Sequence, residues 1–222
     1  GGIGLSVVVG VPLGMISAIK QYSFIDYFAR TLALLLTAIP VFWLGLLMLL
    51  FFVLKLRWFP ATGTGSWRNY VLPVVALAAS ATATQTRTTR SAMLEAIRQD
   101  YVRTARAKGI SEPKIMFKHV LKNSILPVIT IAGMNVGVQM GGTVVIENVF
   151  NIPGMGNMLI NSVRVKDIPM IVSTIIMVAF FIGVMNLIVD IIYTFVDPRL
   201  KTQYVTVKKK KDQPLIPAQE KI

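Results

Sequence analysis

The sequence predicts an all-α polytopic membrane protein with five transmembrane helices in its 222 residues, and three observations predict it. Hydrophobic residues make up 54% of the chain and charged ones 15%, with a mean hydropathy of +0.64; soluble domains carry about 25% charged residues. Thr31 to Leu54 runs 24 residues without a charge, where about 20 cross the bilayer core. Of the 23 Lys/Arg, 16 lie in only two places, the interval from Arg87 to Asn123 and the segment from Asp197 onward. Basic residues gathered into particular loops mark the cytoplasmic side of a membrane. The net charge of +13 therefore reflects topology, and nucleic acid is not an expected partner. The chain has no Cys, which excludes a disulfide framework, thiolate metal sites and a Cys nucleophile.

The first span covers residues 1–19. Its Gly10-x-x-x-Gly14 spacing is one that lets helices approach closely. No basic segment precedes it, so it does not read as a signal peptide; a start inside an apolar run without Met is expected of a fragment. A short loop, Lys20 to Arg30, leads to the second span at 31–54, in which Pro40 predicts a kink. Residues 55–70 form a turn-rich connection with Trp58, Phe59, Trp67 and Tyr70 placed as interfacial anchors. The third span, 71–86, is nearly all small or hydroxyl residues after Leu77. It is expected to be buried among its neighbours and to continue as a helix beyond the membrane.

In the fourth span, 125–146, Gly133, Gly137 and Gly141 recur at every fourth residue and predict a packing face. Asn135 and Gln139 lie roughly 200° around the helix, at about 100° per residue, and predict a polar face. With Gln85 they are the expected pathway-lining residues. Glu147 to Pro169 is an outside loop punctuated by Pro153, Gly154 and Gly156. The last span, 170–196, contains Asn186 and Asp190. A charge at a helix centre costs about 2.5–3.5 kcal/mol on insertion scales, so Asp190 is expected either to pair with a basic residue near the cytoplasmic face or to serve the substrate path. Residues 201–222, with Lys208 to Lys211, read as a disordered basic cytoplasmic tail. Five spans put Gly1 outside and the C-terminus inside.

The polar interval at 87–124 holds nine Lys/Arg against Glu95, Asp100 and Glu112, and its pattern predicts structure. Met93, Ile97, Tyr101 and Ala105 recur at i, i+4 and give one helix an apolar face. Gly109 ends it, since glycine tolerates the left-handed geometry of a helix stop. Ser111 is a suitable N-cap, with Glu112 and Pro113 in the first turn of a second helix. That helix carries Ile115, Met116, Val120 and Leu121.

This element resembles the cytoplasmic loop of binding-protein-dependent ABC importer permeases, whose signature is Glu-Ala-Ala, three residues, Gly, with Leu-Pro further on. Here Arg103-Thr104-Ala105, Arg106-Ala107-Lys108, Gly109 and Leu121-Lys122 occupy those positions. Arg for Glu and Lys for Pro depart from the general signature. The run DYVRTARAKG followed by His119-x-Leu121-Lys122-Asn123 is similar to the dipeptide, oligopeptide and nickel branch. The second half follows the same branch in order, through Glu147, Phe150, Pro153-Gly154-x-Gly156, Asp167-x-Pro169, Asn186-Leu187, Asp190, Tyr193 and Asp197-Pro198-Arg199.

The resemblance implies a transmembrane permease domain over residues 1–200 with a type I-like importer fold and one further span ahead of Gly1. It also implies a second homologous permease subunit, two cytoplasmic ATPases that hold ATP and Mg, and an extracytoplasmic substrate-binding protein. The implied cargo is a short peptide, with nickel or another small solute as the alternative, and the place is the cytoplasmic membrane of a prokaryote. The expected ATPase-coupling residues are Arg103, Thr104, Ala105, Gly109, Ser111, Glu112, Pro113, Ile115, Met116 and Phe117.

No catalytic constellation is present. The sequence has one His, no nucleotide-binding P-loop and no paired carboxylates on one face. His119 alone lacks partners for a metal site, so no metal and no bound cofactor are expected of this chain. An ion-coupled secondary transporter, with Asp190 and Glu147 as coupling groups, is the reading from another class. It is disfavoured because no inverted repeat or pair of broken spans is visible.

Overall fold

The computed structural model describes residues 1–60 and 63–196, without the side chains of 193–196. The tail at 201–222, Asp197-Pro198-Arg199 and the side chain of Tyr193 lie outside the described residues. Within them the chain forms α1 (Gly2–Ile19), α2 (Phe24–Ala38), α3 (Val41–Lys55), α4 (Arg68–Ile97) and α5 (Asp100–Ala107). It continues as α6 (Glu112–Val149), α7 (Met155–Arg164) and α8 (Ile168–Val196). Among the described residues, α1, α6 and α8 are long and apolar enough to cross a membrane, and α2 with α3 would be a fourth span if the bent pair counts as one.

The helix at the centre of the bundle is α4, whose sequence is too rich in small and hydroxyl residues to pass that test. Its Ala76, Ala78, Ala81, Ala83, Gln85, Thr86 and Thr89 are buried, because α1, α2 and α6 cover it. α1 runs parallel to it: a Cβ on Gly10 would meet Gln85 Cβ at 2.8 Å, and one on Gly14 would meet the Thr86 carbonyl at 2.5 Å. The absence of a side chain at those two positions is what allows the backbones this close. α6 runs antiparallel to α4, with Gln85 Nε2 donating to the Val128 carbonyl at 2.9 Å and Gln139 Nε2 to the Leu77 carbonyl at 3.4 Å. These contacts put residues 19–24 and 97–120 at one end of the bundle. They put 55–60, 63–67 and 150–168 at the other.

Residues 31–54 are not one continuous helix with a kink. α2 and α3 meet at 101°, and α3 lies against the far end of the bundle, where Val53, Leu72, Ala76, Ile146 and Phe150 form a buried cluster. Proline disfavours the helical conformation of the residue before it. Ile39 is accordingly extended (φ −81°, ψ 123°), and Pro40 begins a new helix as its N-cap. The 15 residues of α2 reach only about 22 Å at 1.5 Å per residue, short of the hydrocarbon thickness of roughly 30 Å.

The glycine face expected on α6 divides. At Gly133 an added Cβ would collide with Val189 Cγ1 of α8, whereas at Gly137 and Gly141 it would meet nothing within 4 Å. Among the described residues, only the first packs against another helix.

Candidate functional site

The polar interval folds as a helix, a glycine stop and a helix, with two departures from the pattern read in sequence. The helix carrying Met93 and Ile97 does not continue to Ala105. α4 ends at Ile97, Gln99 is extended (φ −74°, ψ 151°), and α5 starts afresh at Asp100. The break redirects α5 so that Val102 and Ala105 are buried while Tyr101 is turned outward. The second helix is not a separate short piece either. It is the first turns of α6 and continues into the span, passing through a π-helical turn at Ile115–Val120.

The stop at Gly109 is a full Schellman cap. Ile110 N–H donates to the Ala105 carbonyl at 3.2 Å and Gly109 N–H to the Arg106 carbonyl at 2.9 Å, with Gly109 at φ +72°. The two orphan carbonyls at the end of α5 are thereby satisfied. Ile110 packs onto the same apolar cluster as Ala105, the contact that usually accompanies this cap. Across the bend, Arg106 Nε and Glu112 Oε1 approach to 2.6 Å, with Arg106 Nη2 on Glu112 Oε2 at 3.3 Å. The Arg106 guanidinium holds the Glu112 carboxyl below its ordinary value, and a forked pair of this kind fixes orientation as well as distance. Ser111 occupies the N-cap position without a side-chain capping bond, and Glu112 and Pro113 lie in the first turn.

One cluster holds the element to the bundle. Ala18 of α1, Met93 and Ala96 of α4, Val102 and Ala105 of α5, and Ile115, Met116 and Val120 of α6 are buried together. Of the residues assigned to coupling, Ala105, Ile115 and Met116 are therefore interior, and they cannot offer apolar surface to another protein. Arg103, Thr104, Gly109, Ser111, Glu112 and Pro113 are exposed. Phe117, at 58% exposure, is the one large apolar side chain of that set facing outward.

Sequence reasoning missed the anchor behind this element. Asp26, at the start of α2, is 0% exposed and accepts from Arg90 of α4 through Nε at 2.6 Å and Nη2 at 2.8 Å. It also accepts from Ser17 Oγ of α1 at 2.5 Å and from the Tyr22 N–H at 3.0 Å. A buried carboxylate with four donors satisfies the condition under which an ion pair can be taken out of water. The pair ties three helices together one turn before Met93 enters the cluster. A readable signal was Ser23-x-x-Asp26, an N-terminal helix motif; Ser23 does cap α2, accepting from the Asp26 N–H.

Of the residues assigned to a pathway, Gln85 is enclosed by the chain's own helices and Asn135 and Gln139 are half-buried. Gln85 is 0% exposed between α4 and α6. Gln139 reaches Leu77, and an added Cβ on Gly2 would meet its Oε1 at 2.8 Å. Among the described residues, the buried Asn135 Nδ2 and Gln85 Oε1 atoms have no hydrogen-bond partner. At the other end of the bundle, Glu147 caps α7, its Oε2 accepting from Gly156 N–H at 2.7 Å and Asn157 N–H at 3.1 Å. Gly154 and Gly156 leave the room for that carboxylate, which accounts for the Pro-Gly-x-Gly pattern. Among the described residues, no group of three His, Cys, Asp or Glu could hold a metal ion.

Comparison with known proteins places this arrangement. The chain is 40% identical over 210 residues to a protein of Brucella suis biovar 1 (strain 1330) named as a peptide permease, covering 90% of this chain and 66% of that one. It is 37% identical over 196 residues to the glutathione transport system permease protein GsiC of Escherichia coli (strain K12), covering 88% and 64%. The corresponding GsiC of Pectobacterium atrosepticum is 36% identical over the same length. The chain thus spans just under two thirds of the length of these curated relatives. Residues 10–202, from the first span through the glycine-stopped element to the end of α8, match the binding-protein-dependent transport system inner membrane components, and the chain belongs to that family.

Proposed function

We propose that the chain is the permease subunit of an ATP-driven importer of short peptides, driven through the segment from Asp100 to Lys118 by ATPases bound on the cytoplasmic side. The observation that carries this reading is the geometry of that segment. It is a rigid projection with a left-handed glycine, a forked ion pair across the bend and a buried root that reaches α1, α4 and α6. A floppy basic loop would absorb a push from outside, whereas this element passes it to the helices it is rooted in. The contact surface for the ATPase is Arg103, Thr104, Ser111 to Pro113 and Phe117, with Phe117 as the apolar anchor and the charges as a rim. Ala105, Ile115 and Met116 take part as the root. The peptide cargo is supported by relatives named for peptide and glutathione transport.

Partners on this reading are a second permease subunit, two ATPases that supply ATP and Mg, an extracytoplasmic binding protein and membrane lipid. The C-terminus is cytoplasmic, as is the loop at 87–124. The test is co-purification from detergent followed by uptake. ATPase subunits retained by the wild-type chain and lost on Phe117→Asp, with labelled dipeptide uptake lost in parallel, are the expected result. Undiminished peptide uptake by cells lacking this chain would overturn the cargo.

A further inference from the structure

A hollow of about 580 Å³ lies in the connection from α3 to α4, at the end of the bundle opposite the glycine-stopped element. Arg57 and Arg68 both line it, with Trp58 and Ser66, and its lining holds no Asp or Glu. Both arginines are exposed, and neither belongs to an ion pair among the described residues. The sequence has no acidic residue between Asp26 and Glu95. Of the carboxylates at that end, Glu147 holds the first N–H groups of α7, and Asp167 accepts from the Met170 N–H of α8 at 3.1 Å. Lys55 sits over the Phe51 ring, 5.3 Å from its centroid.

Arg57 stands at φ +54°, where the chain leaves α3 and the Trp58 N–H donates to the Phe52 carbonyl at 2.9 Å. That left-handed position favours glycine, so an arginine there points to a use for its side chain. On the orientation proposed above, both arginines also lie on the side where basic residues are scarce. Beside them the outward face of α3 is apolar along its length, with Phe42, Leu46, Leu50 and Leu54 exposed at every fourth residue. Trp58 and Trp67 are exposed at the end of that face, and tryptophan collects at headgroup depth. Acyl chains suit the face, and a headgroup suits its end. The planar guanidinium fork matches a phosphodiester. The hollow offers no carboxylate to a headgroup that carries its own ammonium or choline, so it favours one with net negative charge. We propose that this hollow binds the phosphate of an anionic phospholipid, held by Arg57 and Arg68 with the acyl chains along α3. The assignment is independent of the cargo.

The test puts a reporter on the apolar face, since this chain has no cysteine of its own. Leu54→Cys is labelled with bimane in an otherwise cysteine-free full-length chain, assembled with its partners in phosphatidylcholine vesicles. Phosphatidylglycerol or phosphatidylcholine bearing a nitroxide on its acyl chain is then added as quencher. The anionic lipid is expected to occupy the neighbourhood of the reporter about fivefold more tightly or better, the attraction of roughly one basic residue for an anionic surface. Arg57→Gln with Arg68→Gln should bring the two lipids together, and Lys at both positions should restore part of the preference. Equal quenching with the native arginines, a preference that survives the Gln pair, or quenching by neither lipid because protein covers the face would overturn the proposal. Displacement of the lipid by millimolar inorganic phosphate would make the hollow a site for a free anion and overturn it as well. If the Gln pair instead loses only the binding of loaded binding protein, the arginines are a protein contact and the lipid assignment fails. Dipeptide uptake remains the separate test of the cargo.

Discussion

Two glycines that look alike in sequence separate the packed from the open face of this chain. At Gly14 a side chain would run into the Thr86 carbonyl and Thr89 Cβ, at 2.5 and 2.7 Å; at Gly137 it would meet nothing within 4 Å. Overfilling a packed contact costs roughly 1–3 kcal/mol, so Gly14→Val should lower the unfolding midpoint in detergent and Gly137→Val should leave it unchanged. A stability loss at Gly137 in the isolated chain would contradict the placement of α8. The Asp26–Arg90 pair is a second residue-scale test. Arg90 keeps 17% of its side chain exposed, so removing one partner should cost about 3 kcal/mol, the low end for a buried pair. A double-mutant cycle of Asp26→Asn and Arg90→Gln measures it; a coupling energy near zero would show that the two groups act independently.

At the scale of elements, what was legible in the sequence was whatever a local rule decides. Gly109 stops α5 because the cap requires φ > 0 there, and Gly10 and Gly14 pack because the lack of a side chain lets the α4 backbone come close. What was not legible depended on which neighbour covers which face. Periodicity separated the glycines of α6 from Asn135 and Gln139, but it could not say that Gln139 would reach the Leu77 carbonyl of α4 while Gly137 stays open. It joined Met93 to Ala105 in one helix, when burying Val102 required a break at Arg98–Gln99. Pro40 read as a kink because a single span needed 24 apolar residues, whereas α3 finds its burial across the end of the bundle. Ile115 and Met116 looked like an interface because apolar residues in a polar loop need covering; the chain's own α1 and α4 cover them. Phe117 is what remains, and Phe117→Ala should weaken ATPase retention on purification while Lys114→Glu, a rim charge, changes it little.

In the whole molecule, one buried cluster and one buried ion pair join a central small-residue helix to a projecting element. A force applied at α5 reaches α1 and α4 at Ala18, Met93 and Ala96, and α2 through Asp26. That continuity is what the proposed coupling to ATP hydrolysis in a partner requires. The measurement that bears on it most directly is substrate-stimulated ATP hydrolysis by the complex reconstituted with Gly109→Val. A β-branched side chain in the left-handed region costs roughly 1–2 kcal/mol, and nothing lies within 4 Å to clash with it, so the substitution acts on the bend alone. The chain should insert and assemble, while hydrolysis loses its stimulation by loaded binding protein. Stimulation equal to the wild type would contradict the claim that this element transmits the conformational change.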